Sequence, residues 1–364
     1  MKIAIIDADL IGRNRHRFPN LACMKMSGYY KEQGHDVCLL TDYRHVDEYD
    51  KVFISKVFTD TPVPEWVLDR GNVKYGGTGF FFDTAPPLPD EIEHHMPDYH
   101  LYDDFINALI RGGRKRSEFG SYLDYSIGYT TRGCFRKCSF CVNRNYNRVF
   151  VHSPLEEFYD PERPKICLLD DNFFGCPQWL DIMKSLQATG KPFIFKQGLD
   201  ERLLTEEKCE WLCSSKYDGQ ITFAFDNVAD YRVIEKKLQM IRQYTSKVLT
   251  FYVLVGFDRD DKWDDAFWRQ DIEDAFRRIE LLKRYHCLPY IMRYERYKDS
   301  PFRGMYVNLA RWCNQPAMFK KLSLREFAAK NAEHNRLAST QYLIDFEAAC
   351  PEIAANYYDM RWEE

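Results

Sequence analysis

The sequence has no long apolar run, no low-complexity tract and little net charge. No stretch approaches the roughly 18 apolar residues of a membrane-spanning helix, and residues 1–7 become acidic too early for a signal peptide. The formal net charge is only −4 over 364 residues, so the chain as a whole carries no electrostatic signature of a nucleic-acid-binding protein. We therefore expect a globular, cytoplasmic protein with no membrane association.

Basic residues are concentrated in one short stretch, which contains Arg111, Arg114, Lys115 and Arg116. Such a stretch either contacts nucleic acid locally or forms a solvated charged loop, and the charged loop is the more common outcome. Any contact with nucleic acid would therefore have to be local.

The composition is that of a folded protein with more than one structural unit. Apolar residues make up 45% of the chain and aromatic residues 16%, which is enough for a substantial core. Because 364 residues exceed the usual size of a single core, we expect two domains or one domain with a large extension.

The first part of the chain alternates short apolar runs with a helical pattern. The predicted strands are residues 2–6, 37–40, 52–57 and 72–75, with a helix at residues 21–34. This βαβ order predicts a doubly wound, Rossmann-like domain over residues 1–97. Ligands bind at the carboxyl ends of such strands, here near Asp7, residues 10–19 and the glycine turn at residues 76–79.

A second series of strands follows a predicted helical linker at residues 98–120. The predicted strands are residues 126–131, 166–169, 193–196, 221–225, 249–255 and 289–293. Six strand-helix repeats predict a parallel sheet, and they fall short of the eight that close a full barrel. We therefore expect an α/β fold with a partial (β/α)6 TIM-like barrel over residues 121–300. The pattern of residues 301–364 is mainly helical and predicts a helical C-terminal extension.

Three of the twelve cysteines form a tight group. Cys134, Cys138 and Cys141 lie within eight residues and directly follow a predicted strand. Clustered thiols in a chain of cytosolic character hold metal more often than they form disulfides. Three thiolates in a short loop can bind an iron-sulfur cube and leave one iron open, because such a cube normally takes four.

Two alternatives concern the cysteines. The tight group could instead be a zinc site with His152 as a fourth ligand, although zinc sites usually space cysteines in pairs and residues 149–154 look like a strand. The other cysteines, such as Cys209, Cys213 and Cys287, could bind a second cluster. They contain no comparable spacing, so we expect buried thiols there.

The cysteine spacing resembles that of radical S-adenosylmethionine (SAM) enzymes. Their hallmark is CxxxCxxC with an aromatic residue, here Phe140, before the last cysteine, at the end of the first strand of a partial barrel. The strand ends that follow are similar to the branch with an N-terminal cobalamin (B12)-binding-type domain. The segments that carry this resemblance are residues 168–173, 198–204, 223–226, 254–258 and 289–293.

The resemblance implies a [4Fe-4S] cluster whose open iron binds SAM. One electron, from a donor of the flavodoxin or ferredoxin type, would split SAM to methionine and a 5′-deoxyadenosyl radical, which abstracts a substrate hydrogen. The cofactor supplies the difficult chemistry, whereas the protein positions it and excludes water.

The resemblance also implies where SAM and substrate bind, because working residues of such barrels lie at strand ends. The cofactor-binding candidates are Phe140, Asp170, Asp171, Asn172, Lys196, Gln197, Arg202, Asp226, Gly256 and Tyr290. The substrate-side candidates are Asp258, Arg293, Tyr294 and Glu295. Residues 170–172 could hold the methionine amino group or form an Asx turn with an N-cap. Arg202 could pair with the methionine carboxylate or with Glu201 or Glu206.

Whether cobalamin binds decides the reaction class that the resemblance implies. Gly76, Gly77 and Thr78 are similar to the glycine turn that approaches the corrin, but no DxHxxG segment supplies a histidine for cobalt. With cobalamin we expect methyl transfer; without it, hydrogen abstraction followed by rearrangement, oxidation or coupling. A methylthiotransferase is disfavoured, because the N-terminal region has only Cys23 and Cys38 for a second cluster.

A hypothesis from another class is a nucleic-acid- or protein-binding adaptor with a structural cluster. Its support is the stretch that begins at Arg111 and the basic, aromatic-interleaved residues 144–148. Because residues 144–148 lie just beyond the cysteines, they would equally suit an enzyme that acts on nucleic acid.

Overall fold

The computed structural model describes residues 1–14, 18–334 and 337–362. The chain forms two compact units, Met1–Lys196 and Gln197–Glu364, and each is a mixture of helices and parallel sheet. Residues 15–17, within the predicted ligand loop at residues 10–19, lie outside the described part. No helix of the described residues is long and apolar enough to cross a membrane.

The first unit begins with a parallel four-stranded sheet in the order β2-β1-β3-β4. Its strands are β1 (Lys2–Asp7), β2 (Asp36–Leu39), β3 (Lys51–Ser55) and β4 (Val73–Gly76). The helices of this unit are α1 (Ala8–Gly12), α2 (Leu21–Glu32), α3 (Glu65–Leu68), α4 (Thr78–Phe81), α5 (Asp90–Glu93), α6 (Asp103–Arg111), α7 (Gly120–Leu123) and α8 (Trp179–Ala188).

The sheet is covered on both faces, as its central strand requires. Alternate residues of β1 point to opposite faces. Ile3 and Ile5 pack in one core cluster with Met24 of α2, and Ala4 and Ile6 pack in another with residues of β3. All four are fully buried, which is typical of a parallel sheet between helices.

A second sheet of the first unit carries the cysteine segment. Its strands β5 (Tyr125–Gly128), β8 (Lys165–Leu168) and β9 (Phe193–Phe195) are parallel in the order β5-β8-β9. Two short strands, β6 (Thr131–Arg132) and β7 (Phe150–Val151), pair antiparallel. Residues 149–154 looked like a strand in the sequence, but this pairing was not predicted.

The second unit is a three-stranded parallel sheet with helices. Its strands β10 (Thr222–Ala224), β11 (Leu249–Val255) and β12 (Cys287–Arg293) lie in that order. The helices are α9 (Glu206–Ser214), α10 (Tyr231–Ile241), α11 (Asp265–Arg284), α12 (Arg303–Cys313), α13 (Pro316–Lys321), α14 (Leu324–Glu333), α15 (Leu337–Ala349) and α16 (Pro351–Tyr357). The last five of these helices, α12 to α16, lie in residues 301–364, where the sequence pattern was helical.

Side chains of the C-terminal extension cover the edge of the sheet in the second unit and hold the end of the chain. Asn314 accepts from Ile291 N through Oδ1 at 2.7 Å and donates to Ile291 O at 3.1 Å, so its amide occupies the free edge of β12. Lys283 is buried between the rings of Trp312 and Phe319 and donates to Met360 O at 2.9 Å. These contacts fix the extension on β12 and α11.

Candidate functional site

The cysteines lie in a loop that is closed at its base. The β6–β7 ladder pairs Thr131 with Val151 and Arg132 with Phe150, so residues 133–149 form one excursion from the sheet. Gly133 begins the loop with φ +88°, and a Cβ there would lie 2.4 Å from Arg148 O. Only glycine allows this close approach, and it brings the two ends of the loop together.

Asp171 ties both ends of the loop to the strand end after β8. Its carboxylate accepts from Gly133 N at 2.7 Å and from Asn143 Nδ2 at 2.8 Å. Arg132 Nε lies 3.4 Å from the same carboxylate. Charge-assisted bonds of this kind are about twice as strong as neutral ones, so Asp171 is a principal determinant of the loop conformation.

The carboxylate of Asp170, one residue earlier, also accepts hydrogen bonds from the segment that leads into the loop. Its two oxygens accept four hydrogen bonds of 2.6 to 3.1 Å from the backbone and hydroxyl groups of Thr130 and Thr131. Burial raises the pKa of Asp170 to about 6, although these hydrogen bonds oppose the shift. The direct contact of Asp170 with SAM stays a prediction, and its observed contacts fix the strand that enters the loop.

Hydrogen-bond donors lie close to two of the thiols. Arg136 N lies 3.3 Å from Cys134 Sγ, and Asn143 N lies 3.4 Å from Cys141 Sγ. Asn172 Nδ2 lies 3.3 Å from Cys134 Sγ, while the buried Oδ1 of the same amide has no partner among the described residues. N–H donors directed at sulfur stabilise thiolates and tune the clusters that thiolates hold.

The three thiols of the loop are accessible to an inorganic cofactor. Cys134, Cys138 and Cys141 are all half-buried. Thiolates are the ligands that hold iron-sulfur clusters, and three of them leave one iron of a cube open. Among the described residues, no three His, Cys, Asp or Glu side chains are already arranged as ligands of one metal ion.

His152, the suggested fourth zinc ligand, belongs to a polar contact on the other side of β7. Its Nε2 lies 3.7 Å from a carboxylate oxygen of Glu93, and its ring stacks on His94 at 5.1 Å between centroids. Burial lowers the pKa of His152 to about 4. In this structure His152 therefore has a packing and polar role.

The basic residues of the loop have partners within the first unit. Lys137 Nζ donates to Arg144 O at 3.0 Å and to Asn147 Oδ1 at 2.6 Å. Arg144 Nε donates to Asp83 at 2.6 Å, and this ion pair lowers the pKa of Asp83. Asn145 Nδ2 donates to Asp83 O at 3.1 Å. Residues 144–147 therefore pack on the segment after α4, which leaves less of their charge for nucleic acid.

Two members of the other basic stretch also form ion pairs. Arg114 pairs with Glu118, and Arg116 lies 2.8 Å from Asp124. A local contact with nucleic acid stays a prediction, but half of the charge that suggested it is neutralised.

The remaining candidates of the first unit lie at its surface. Lys196 is exposed, with Nζ 5.1 Å from the centre of the Phe18 ring. Phe140, before the last cysteine, is half-buried.

In the second unit, Gln197 is exposed and Arg202 forms two ion pairs. Arg202 Nε lies 2.7 Å from Asp200, and its NH1 group lies 2.7 Å from Asp230. The competing partners suggested by the sequence were Glu201 or Glu206, and the observed ones are different. A ligand carboxylate would have to share or displace these pairs.

Asp226 and Arg278 organise the ends of β10 and β11. Asp226 accepts from Leu254 N at 3.2 Å, and burial raises its pKa. Arg278, which is fully buried, donates to the carbonyl oxygens of Phe225, Asp226 and Leu254. Arg278 was missed by the sequence reasoning, although a signal existed, because it falls on the buried apolar face of α11 beside Ile279.

Gly256 and Tyr290 differ in accessibility. Gly256 has φ +75° and donates its N–H to Asp271 at 2.7 Å, and a Cβ there would lie 3.1 Å from Tyr297. The positive φ therefore explains why glycine occupies position 256, in addition to the close approach to adenosine that the resemblance implied. Tyr290 is 45% exposed and packs edge-to-face on Tyr252.

The substrate-side candidates do not form one cluster of hydrogen bonds. Asp258 accepts from Lys262 N at 2.6 Å and shapes its own loop. Tyr294 donates its N–H to Val255 O at 2.9 Å and packs on Phe257 at 4.9 Å. Glu295 and Arg293 are exposed.

The carboxyl end of the N-terminal sheet is filled by a buried polar network. Asp9 stands where a DxHxxG segment would have histidine, and its carboxylate accepts from Val57 N at 2.7 Å and from the Thr61 hydroxyl at 2.5 Å. A Cβ at Gly77 would lie 2.3 Å from Lys56 O, and one at Gly79 would lie 2.8 Å from Phe58 O. These glycines therefore allow the turn to pack on the loop after β3.

Comparison with known proteins identifies a solved structure with a similar fold. No protein-family model and no curated protein matches the sequence. Among solved structures, the chain matches the radical S-adenosylmethionine methyltransferase TsrM from Kitasatospora setae, determined with cobalamin and a [4Fe-4S] cluster bound. The TM-score is 0.51 at 11% identity, and the match covers 80% of this chain and 72% of that chain. The resemblance expected from the sequence is thus confirmed at the level of the fold.

Proposed function

We propose, from this shared fold and from the geometry of the cysteine loop, that the chain is a radical SAM enzyme. Cys134, Cys138 and Cys141 would hold a [4Fe-4S] cluster with one iron open to SAM. When bound and reduced, such a cluster supplies the electron that splits SAM and yields the 5′-deoxyadenosyl radical for hydrogen abstraction. The observation that carries the proposal is the loop of three accessible thiols, two of which accept N–H hydrogen bonds from backbone amides.

The residues of the strand end after β8 have distinct tasks in this proposal. Asp171 holds both ends of the cysteine loop, and Asp170 holds the strand that enters it. Asn172 combines a donor to Cys134 with a buried oxygen that has no partner among the described residues. That oxygen can accept from the ammonium group of SAM, since ammonium offers only donors. Of the three, Asn172 is therefore our preferred ligand for SAM.

We further propose that the second unit completes the enzyme. The six strands predicted for the partial (β/α)6 barrel correspond to two separate parallel sheets of three strands, one in each unit, and we propose that both sheets belong to that barrel. Gly256 and Tyr290 are proposed to border the adenosine, and Arg202 to bind the methionine carboxylate. The domain limits proposed from the sequence, 1–97, 98–120, 121–300 and 301–364, are retained, as is an electron donor of the flavodoxin or ferredoxin type.

A second candidate is cobalamin-dependent methyl transfer. It is favoured by one observation, the fold shared with a methyltransferase whose structure contains cobalamin. In this chain the carboxylate of Asp9 is engaged with Val57 and Thr61, so it is unsuited to bind cobalt. A corrinoid here would therefore be held through contacts with its ring and without Asp9 as a cobalt ligand.

Anaerobic reconstitution of the full chain tests both candidates. With iron, sulfide, dithionite and SAM, we expect bound iron and formation of 5′-deoxyadenosine. Cys134→Ala, Cys138→Ala and Cys141→Ala should each abolish both, whereas Cys213→Ala, at a half-buried thiol outside the loop, should retain both. Full iron and activity in any of the three loop variants would contradict the assignment.

A parallel reconstitution with hydroxocobalamin separates the two candidates. Corrinoid that stays bound through gel filtration, measured by its visible absorbance, would support the methyltransferase. Reconstituted chain that retains no corrinoid but still forms 5′-deoxyadenosine would support hydrogen abstraction without cobalamin.

A further inference from the structure

A cavity opens in the second unit between the end of β12 and α12. Its volume is about 250 Å³, and it is lined by Arg293, Val307, Ala310, Arg311, Asn314 and Gln315. The volume is several times the roughly 30 Å³ that one water occupies in the liquid, so a small polyatomic ion fits. Only Arg293, a substrate-side candidate from the sequence, has been linked to the proposed radical chemistry; the other five lining residues have no role in it.

Arg293 lines this cavity from the end of β12. Ile291 is 3% exposed, whereas Met292 and Arg293 are both exposed, so Arg293 lies where β12 leaves the buried core and its guanidinium is accessible to a ligand. Its guanidinium lies 4.6 Å from the centre of the Tyr297 ring, which limits its rotamers.

The two guanidiniums beside the cavity have no carboxylate partner among the described residues. Arg311 donates to the amide oxygen of Asn331 at 3.1 Å, which leaves its charge uncompensated. Arg296, only three residues from Arg293, instead pairs with Asp299 at 2.6 Å. Two uncompensated cations that line one concave site create a local positive potential in a chain of net charge −4.

The wall between the two arginines is rigid. Asn314 is fixed by its two hydrogen bonds to Ile291, and Ala310 is 8% exposed on a regular helix. A site that is already formed loses little entropy on ordering, so it can bind an anion without rearrangement.

We propose that this cavity binds a phosphomonoester group. A guanidinium fork matches phosphate oxygens through paired N–H donors, and phosphate monoesters carry about −1.5 to −2 charges near pH 7. One arginine suffices for a carboxylate, whereas two arginines match the charge and the three oxygens of a phosphate. None of the residues that line the cavity is a proposed ligand of SAM, so the proposal does not depend on the proposed function.

Calorimetric titration of the full chain with phenyl phosphate, and with benzoate as the matched carboxylate, tests the proposal. We expect phenyl phosphate to bind at least 10-fold more tightly than benzoate. Arg293→Gln and Arg311→Gln should each weaken phenyl phosphate binding about 10-fold, and Arg293→Lys should weaken it less because the charge is kept. Arg303→Gln, at an exposed arginine of the same helix, is the control and should bind like the wild type.

The thermal unfolding of each variant shows whether it is folded. Undetectable binding of phenyl phosphate, equal affinity for benzoate, or wild-type affinity in folded Arg293→Gln and Arg311→Gln would each overturn the proposal. Phosphate binding by a chain that fails to cleave SAM would refute the proposed function alone, and the reverse result would refute this site alone.

Discussion

Replacement of Asp171 by alanine should release the cysteine loop and lower the retention of the cluster. The substitution removes the acceptor of two hydrogen bonds, from Gly133 N at 2.7 Å and from Asn143 Nδ2 at 2.8 Å. The Asp171 side chain is only 8% exposed, so water replaces these bonds poorly. Gly133 precedes the first cysteine and Asn143 follows the last, so both ends of the loop lose their anchor.

The magnitude follows from the nature of the two bonds. Hydrogen bonds to a charged group contribute about 1.5–3 kcal/mol each, so the folded loop loses roughly 3–6 kcal/mol as an upper estimate. If half of this free energy preorganises the thiols, iron binds about 10- to 100-fold more weakly. Asp171→Asn keeps one acceptor oxygen but turns an N–H donor towards the other partner, and it should fall between the wild type and Asp171→Ala.

The assay is the loss of iron from reconstituted protein to a chelator under anaerobic conditions. Asp171→Ala should lose iron faster than the wild type, and Asp181→Ala, at an aspartate with a 79% exposed side chain, is the control. Iron retention equal to the wild type, together with weaker binding of SAM, would refute this reasoning. That result would make Asp171 a direct ligand of SAM.

Two buried carboxyl groups predict how stability depends on pH. Burial raises the pKa of Asp7 from 3.8 to about 7, so the folded state keeps a proton that the unfolded chain releases, and stability falls as pH rises from about 4 to 7. Asp7→Asn should therefore gain about 2–3 kcal/mol of unfolding free energy over the wild type between pH 5 and pH 8, measured by urea denaturation; a constant difference would contradict this. Burial also raises the pKa of Glu201, whose oxygens have no partner among the described residues. The folded state therefore keeps a proton on Glu201, and the contribution of this proton to folding stability is lost as pH rises above 4.5. Glu201→Gln should raise the melting temperature at pH 8 more than at pH 5, with exposed Glu206→Gln as the control, and an equal effect at both pH values would rule against the assignment.

Features encoded locally were predictable from the sequence. The three cysteines lie within eight residues, and the ten predicted strands are apolar runs bounded by turns, so β1 and β11 needed no knowledge of distant residues. Residues 149–154 looked like a strand, but the pairing of β7 with β6 was not predicted, because each strand has only two residues and the ladder is defined by contacts across the whole loop.

The sequence did not reveal which residues the polar side chains of the site contact in the folded protein. The strand end after β8 was correctly located, but Asp170 and Asp171 contact residues about 40 and 38 positions away. Arg202 likewise pairs with Asp230, which the chain brings near only through the packing of α10. Such pairings depend on tertiary structure, because several carboxylates along the chain could satisfy the same guanidinium.

The most direct test of the central claim is the electron paramagnetic resonance spectrum of the reduced, reconstituted chain with and without SAM. We predict a [4Fe-4S]⁺ signal whose g values shift when SAM is added, because SAM binds the iron that lacks a cysteine ligand. Cys134→Ala should lack the signal, and Cys213→Ala should give the wild-type spectrum and shift. A cluster signal that SAM leaves unchanged, or the same signal in Cys134→Ala, would contradict the account.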